Sequence, residues 1–194
     1  MSSRFQSPLP PSTPPEPPRF ELPSRWVQRF APLIAPGGNV LDLACGRGRH
    51  ARLLASRGYT IEAVDRNAAA LEALHDISGI TTRCADLEGG PWPYNGYHFA
   101  GIVVTNYLWR PLLPQLMATL DKGGVLIYET FMLGNERFGK PANPAFLLRQ
   151  DELRHVIRGH LELIAFEQGE VSEPYSAVVQ RLCAVRVGPL RLPD

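Results

Sequence analysis

The chain is poor in cysteine, nearly without net charge, and free of long apolar runs. Cys45, Cys84 and Cys183 are its three thiols among 194 residues. They are widely spaced and odd in number, which excludes a disulfide framework and points to a reducing, cytoplasmic setting. Each lies in or beside an apolar run, so all three are expected to be buried. A net charge of +1 leaves no global field of the kind that marks nucleic-acid or membrane-surface binders. No apolar stretch approaches the roughly 18 residues needed to span a bilayer. The first residues lack the basic-then-apolar pattern of a secretory signal. His50, His75, His98, His155 and His160 show no metal-ligand spacing with one another or with cysteine, so no metal site is expected.

Proline is plentiful, and unevenly placed. Pro8, Pro10, Pro11, Pro14, Pro15, Pro17, Pro18 and Pro23 crowd residues 1–23. Each fixes φ and removes a backbone donor, so the segment is expected to be an extended arm outside the domain of residues 24–194. Apolar content of 44% and charged content of 20% then describe an ordinary globular domain.

From Ser24 the pattern is helical: Trp26, Val27, Phe30, Leu33 and Ile34 recur at helical spacing until Pro36-Gly37-Gly38. Strands are predicted at Asn39–Ala44, Thr60–Val64, Ile80–Cys84, His98–Thr105 and Val125–Glu129, with helices at about 48–57, 67–77 and 111–120 between them. Asp121-Lys122-Gly123-Gly124 is expected to end the last of these. A long connection, Phe131–Arg149, leads to a helix at 150–158 and two final strands at 161–166 and 178–187. Alternating β and α elements predict an α/β, doubly wound sheet.

The chemistry concentrates at the carboxyl end of that sheet. Val40-Leu41-Asp42-Leu43-Ala44-Cys45-Gly46-Arg47-Gly48 is a strand ending in a small-residue turn, with a helix directly after. Gly46 and Gly48 permit positive φ and close approach of a ligand to the backbone, and the helix amino terminus leaves N–H groups free. Asp65, at the tip of the second strand, is placed to accept hydrogen bonds from both hydroxyls of a ribose. Counting GxGxxG from Gly46 reaches Ala51, an allowed variant, so a nicotinamide dinucleotide is not excluded by the count. Asp42 argues otherwise. It suits the ammonium of S-adenosylmethionine and would be unhelpful beside a pyrophosphate, although it can also order the turn by accepting backbone N–H groups. Cys45 sits near Arg47 and Arg49, conditions that lower a thiol pKa, but its place in the turn reads better as small packing. His50 faces either the cofactor or the helix surface.

These segments resemble the class I S-adenosylmethionine-dependent methyltransferases, whose first motif reads hydrophobic-LD-hydrophobic-GCGxG. Ala44 stands where the first glycine is usual. ACGRGRH followed by AVDRN is especially similar to the small tellurite-resistance-type methyltransferases. The resemblance is good over about residues 39–130. It implies a seven-stranded, mostly parallel sheet of order 3-2-1-4-5-7-6, with strand seven antiparallel. It also implies S-adenosylmethionine as cofactor, held by Asp42, Ala44, Cys45, Gly46 and Gly48 in the first turn. By the same likeness Asp65 takes the ribose and Arg66 lies near the adenine. Asp86 and Leu87 meet the adenine amino group and ring, and Thr105 and Asn106 meet the methionine end. Gly123-Gly124-Val125-Leu126 resembles the family's entry to strand five.

Methyl transfer from a sulfonium needs alignment more than acid–base machinery, so no catalytic dyad is required. Candidates on the acceptor side are Tyr107, Arg110 and Glu129, for substrate contact or proton handling. The residues around Arg110 and Glu129 serve equally well as a loop anchored by ion pairs. The DNA-amino methyltransferase signature is not present, since strand four ends Thr105-Asn106-Tyr107-Leu108. With no basic stripe, a small-molecule acceptor is expected rather than nucleic acid or membrane. Two rivals stand beside this reading: a non-catalytic S-adenosylmethionine-binding module and a nicotinamide-dependent oxidoreductase.

Overall fold

A computed structural model describes residues 22–187. The proline-rich arm, apart from Leu22 and Pro23, lies outside the described residues. Seven strands form one sheet: β1 (Asn39–Leu43), β2 (Thr60–Asp65), β3 (Ile80–Cys84), β4 (Phe99–Thr105), β5 (Leu120–Phe131), β6 (Glu162–Val171) and β7 (Ala177–Val185). Their order is β3-β2-β1-β4-β5-β7-β6. β1 to β5 are parallel, and β7 runs antiparallel to both β5 and β6. This is the arrangement the resemblance implies.

Strand alternation sorts the side chains into two layers. Leu41 and Leu43 of β1, Ile102 and Val104 of β4, and Tyr128 of β5 point to one face. There they meet α4 (Leu113–Ala118) and α5 (Glu152–Ile157) through Leu113, Leu116, Leu153 and Ile157. Val40, Ile61, Val103 and Ile127 point to the other face. There they pack on α1 (Arg25–Phe30) and α2 (Arg49–Ser56), and on Leu71 and Leu74 in and after α3 (Ala68–Glu72). The central strands are apolar on both faces because both faces are covered.

Ser24 starts α1 as expected. Its hydroxyl accepts the N–H groups of Trp26 at 3.0 Å and Val27 at 3.4 Å. The indole N–H of Trp26 then donates to the Leu182 carbonyl at 3.0 Å, which fixes α1 to the sheet.

Three boundaries depart from the periodicity. The helix expected over 67–77 ends at Glu72, and the following turn still buries Leu74. The turn expected at 121–124 lies within β5: Leu120 pairs with Phe99, and the register shifts before Val125 pairs with Gly101. Gly124 accepts the Arg186 N–H at 2.9 Å, so ladder bonding continues across residues that read as a break. The last two strands extend to Val171 and begin at Ala177, well beyond the predicted 161–166. Glu167, Gln168 and Glu170 hide this pairing: the two glutamates are exposed, and Gln168, on the opposite face from Glu167, accepts the Asp151 N–H and a Gln180 amide N–H.

Candidate active site

The site lies where β1, β2, β3 and β4 end. The turn after β1 holds Ala44, Gly46 and Gly48 at φ values of 51°, 56° and 74°. The two glycines serve different purposes. A Cβ on Gly46 would meet nothing within 4 Å, so its open side is left to a ligand. A Cβ on Gly48 would lie 2.5 Å from the Leu74 side chain. The missing Cβ of Gly48 therefore leaves room for the Leu74 side chain beside α2.

Asp65 holds this turn in place. One carboxylate oxygen accepts the Gly46 N–H at 2.8 Å, and the other accepts the Asn67 N–H at 2.9 Å. Beside it opens a pocket of about 150 Å³ lined by Ala44, Asp65, Arg66, Ala85, Asp86, Leu87, Glu88 and Tyr107. Most of the residues assigned from sequence to the ribose and adenine thus share one concavity. The Glu88 N–H, and after it the Gly89 N–H, hold the Asp86 carboxyl below its ordinary range. Tyr107, expected on the acceptor side, belongs to this pocket. Its hydroxyl is buried without a hydrogen-bond partner among the described residues.

Asp42 is placed differently from the expectation. Alternation along β1 turns it to the α2 face, where it is 1% exposed and accepts the Ala51 N–H at 2.9 Å. It lines neither pocket, and its geometry is that of a turn-ordering group beneath the helix amino terminus. Burial pushes its pKa up to about 7, against the lowering pull of the Ala51 N–H and Arg49.

The cysteines divide. Burial, with Asp42 and Asp65 nearby, pushes the Cys45 thiol well above its ordinary range, which excludes an activated thiolate. Cys183 is buried, but Cys84 is exposed. β3 is an edge strand with a half-open face, so proximity to an apolar run did not bury that thiol.

His50 is neither on the helix surface nor against a pocket. It is 1% exposed. Its Nε2 accepts the Ser24 N–H at 3.0 Å, and its Nδ1 lies 3.3 Å from the Thr105 hydroxyl. Burial lowers its pKa to about 3, so the ring is neutral. An Nε2 that accepts leaves the proton on Nδ1, which donates to Thr105. His50 therefore ties the start of α1 to the end of β4. Ser24 and His50 are 26 residues apart, and nothing in the local sequence signals the pairing.

Beyond Asn106 lies a larger cleft of about 880 Å³. Its walls are the Leu22–Arg25 segment, the start of α2, the β6–β7 hairpin, and Glu129 and Arg181 from the sheet. Antiparallel register places Arg181 opposite Glu129, and its guanidinium donates to that carboxylate at 3.2 Å and to Glu167 at 2.6 Å. Asn106, at φ 55°, points toward this cleft and lies 3.5 Å from the Tyr175 hydroxyl. Consecutive residues at the end of β4 thus face two cavities, Asn106 the larger and Tyr107 the smaller. Arg181, Tyr175 and the Leu22–Arg25 wall escaped sequence reasoning because the β5–β7 register and the hairpin length bring them here.

Arg110 lines neither cavity. Its guanidinium forks onto Glu152 at 2.6 Å and 2.9 Å, and donates to the carbonyls of Ala145 at 2.6 Å and Leu147 at 2.9 Å. Desolvation of the Glu152 carboxyl is outweighed by Arg110 and the Arg149 N–H, which hold it below its ordinary range. Of the two roles open to Arg110 from sequence, the geometry is that of a loop anchor.

Known proteins share this architecture. TehB from Haemophilus influenzae superposes with a TM-score of 0.66 at 21% identity, over 84% of this chain and 61% of TehB. The N-methyltransferase NodS from Bradyrhizobium japonicum WM9 gives 0.63 at 15% identity, over 83% and 94%. A TehB-like S-adenosylmethionine-dependent methyltransferase from Corynebacterium glutamicum gives 0.61 at 16%, over 83% and 86%. No curated protein sequence matches the chain. Residues 18–160 match the methyltransferase-domain family. The match over residues 18–160, with a class I sheet and a concavity at the strand ends, makes the chain a member of the methyltransferase-domain family, with the fold of the S-adenosylmethionine-dependent enzymes.

Proposed function

We propose that the chain transfers a methyl group from S-adenosylmethionine to a small-molecule acceptor. The observation that carries this reading is the lining of the smaller pocket. Asp65, Asp86 and Glu88 offer carboxylates there against the single guanidinium of Arg66. Such a lining suits a ligand that presents hydroxyl and amino donors, as an adenosine does, and repels a phosphate. Asp65 has a fixed orientation set by its two backbone donors, so it is preorganised for a ribose. Ala44 and Leu87 supply apolar walls for a flat base. The open side of Gly46 and the backbone at Thr105 and Asn106 then lead toward the larger cleft.

When bound, S-adenosylmethionine supplies an activated methyl group, so the protein's task is alignment. Asn106 and Glu129 border the larger cleft, which has the size of a metabolite site. Arg181 orients the Glu129 carboxylate through Oε2. We assign Glu129 to contact the acceptor and to take its proton where one must leave. Tyr107 we move from the acceptor to the cofactor. Three free thiols, Cys45, Cys84 and Cys183, fit the reducing conditions of a cytoplasm.

The test is turnover of methyl-labelled S-adenosylmethionine with a fractionated metabolite pool. Label is expected in a small-molecule fraction, and Glu129→Gln is expected to lower kcat with the affinity for S-adenosylhomocysteine unchanged. Binding of the thioether with no label moved to any fraction would favour the non-catalytic module instead.

A further inference from the structure

The charged groups that border the larger cleft differ in what they have left to offer. Arg181 is spent. Its guanidinium donates to Glu129 at 3.2 Å and to Glu167 at 2.9 Å and 2.6 Å, and it stacks over the Trp26 ring at 4.8 Å. Arg49 donates to the Leu22 carbonyl at 3.1 Å, and Arg25 pairs with Glu173 at 3.0 Å. Glu170 is held at 2.6 Å by Arg137, which does not line the cleft.

Glu129 is the exception. Arg181 occupies its Oε2, and its Oε1 accepts from no group of the described residues. That oxygen is not enclosed: the buried side-chain atoms without a partner among those residues are Trp92 Nε1 and the Tyr107 hydroxyl. The Glu129 side chain is 14% exposed, whereas Arg25, Glu170 and Glu173 are each more than half exposed. Those three therefore stand at the rim, and Glu129 stands at the floor with one open carboxylate oxygen. Such a floor selects among acceptors. An anion brought against it is repelled, and the guanidiniums that would offset the repulsion are already engaged. An alcohol offers Oε1 one donor. An amine offers more, and the opposite charge when protonated.

We infer that the acceptor is a primary or secondary amine, held by an N–H that donates to Glu129 Oε1. This rests on the reading of the larger cleft as the acceptor site and names the substrate class of that site. The nitrogen reacts as the free base, after its ammonium proton passes to Glu129 and on to water through the open cleft. Its lone pair forms the new N–C bond as the methyl's bond to sulfur breaks, and the bonding pair stays on the sulfur. Positive charge builds on the nitrogen beside a carboxylate that Arg181 has fixed in advance, where it is stabilised. Ala177 and Val179, both buried, border the same cleft and give the carbon skeleton an apolar wall.

The first arm of the experiment needs no turnover. The full chain, saturated with S-adenosylhomocysteine, is titrated with phenethylamine, phenethyl alcohol and 3-phenylpropionate, three probes of like size. Phenethylamine is expected to bind about 10-fold or more tightly than 3-phenylpropionate, the range of a hydrogen bond to a charged group. Glu129→Gln, shown to be folded by its uptake of S-adenosylhomocysteine, is expected to lose that preference. A preference for the carboxylate, no preference among the three, or a preference for the amine that survives Glu129→Gln overturns the inference. The second arm follows methyl label from S-adenosylmethionine into a metabolite pool, used as it is and after its amines have been capped with sulfo-N-hydroxysuccinimidyl acetate. Capping is expected to abolish the labelling. Label that survives capping overturns the inference and leaves the transferase reading standing. No label in either pool is a failure of that reading itself.

Discussion

At the scale of single residues, two buried titratable groups oppose one another. Asp42 has a folded pKa of about 7. Between the ordinary carboxylate range and that value, the folded chain keeps a proton that the unfolded chain has lost. Its contribution to stability therefore falls as pH rises through this window. His50 has a folded pKa of about 3, below its ordinary 6.5. Across that interval the unfolded chain holds the extra proton, so the His50 contribution falls as pH drops. From about pH 4 to 6.5 the two slopes have opposite sign and offset each other. Asp42→Asn keeps an oxygen for the Ala51 N–H and removes only one of the slopes. Its ligand-free melting temperature is expected to climb from pH 5 to pH 7 more steeply than the wild type, and to exceed the wild type at pH 8. Melting curves that stay parallel at every pH would show that Asp42 is not strained by its burial.

At this scale the sequence was a good guide to residue type and a poor one to direction. Asp65, Asp86 and Leu87 line one pocket, as the family resemblance implied. Asp42 does not, because one step of strand alternation turns it beneath α2. His50 and Thr105 meet only once β4 lies beside β1.

At the scale of elements, the strand-to-helix turn separates ligand approach from packing. Gly48→Ala drives a methyl into Leu74 at positive φ, and a loss of about 2 kcal/mol is expected in denaturant unfolding. Gly46→Ala meets open space, so it pays only the backbone penalty of about 1 kcal/mol. It is nevertheless expected to weaken S-adenosylhomocysteine binding more than its effect on stability alone would. If the two variants unfolded alike and bound alike, this division of labour would be wrong.

The long connection after β5 is likewise an element with an anchor. Arg110 and Glu152 come together from 42 residues apart, and the same guanidinium takes up two loop carbonyls. Arg110→Ala is expected to open residues 132–149 to limited proteolysis while cofactor affinity stays unchanged. Cleavage elsewhere, or a parallel loss of cofactor binding, would return Arg110 to the active site. From the sequence, Arg110 read equally as ligand and as anchor, because periodicity says nothing about which carboxylate a guanidinium will find.

At the scale of the whole molecule, the covered central strands were legible, since apolar runs and turn residues punctuate β1 to β4 clearly, and the sheet order came from the family resemblance. The larger cleft was not. Its walls come from the Leu22–Arg25 segment, the end of β5 and the β6–β7 hairpin, and an antiparallel register assembles them. That geometry leaves two neighbouring cavities on either side of the β4 terminus, one at Tyr107 and one at Asn106, which is the arrangement that the proposed function calls on for cofactor and acceptor.

The decisive measurement is calorimetric titration of the full chain with S-adenosylhomocysteine and, separately, with NAD. The thioether is expected to bind one per chain and NAD to give no heat. Asp65→Ala, shown to be folded by circular dichroism, is expected to weaken the thioether by about 1–3 kcal/mol, the cost of losing a charged acceptor. Uptake of NAD with none of the thioether, or unchanged affinity in the folded Asp65→Ala chain, would contradict an adenosyl sulfonium site at the ends of β1 and β2.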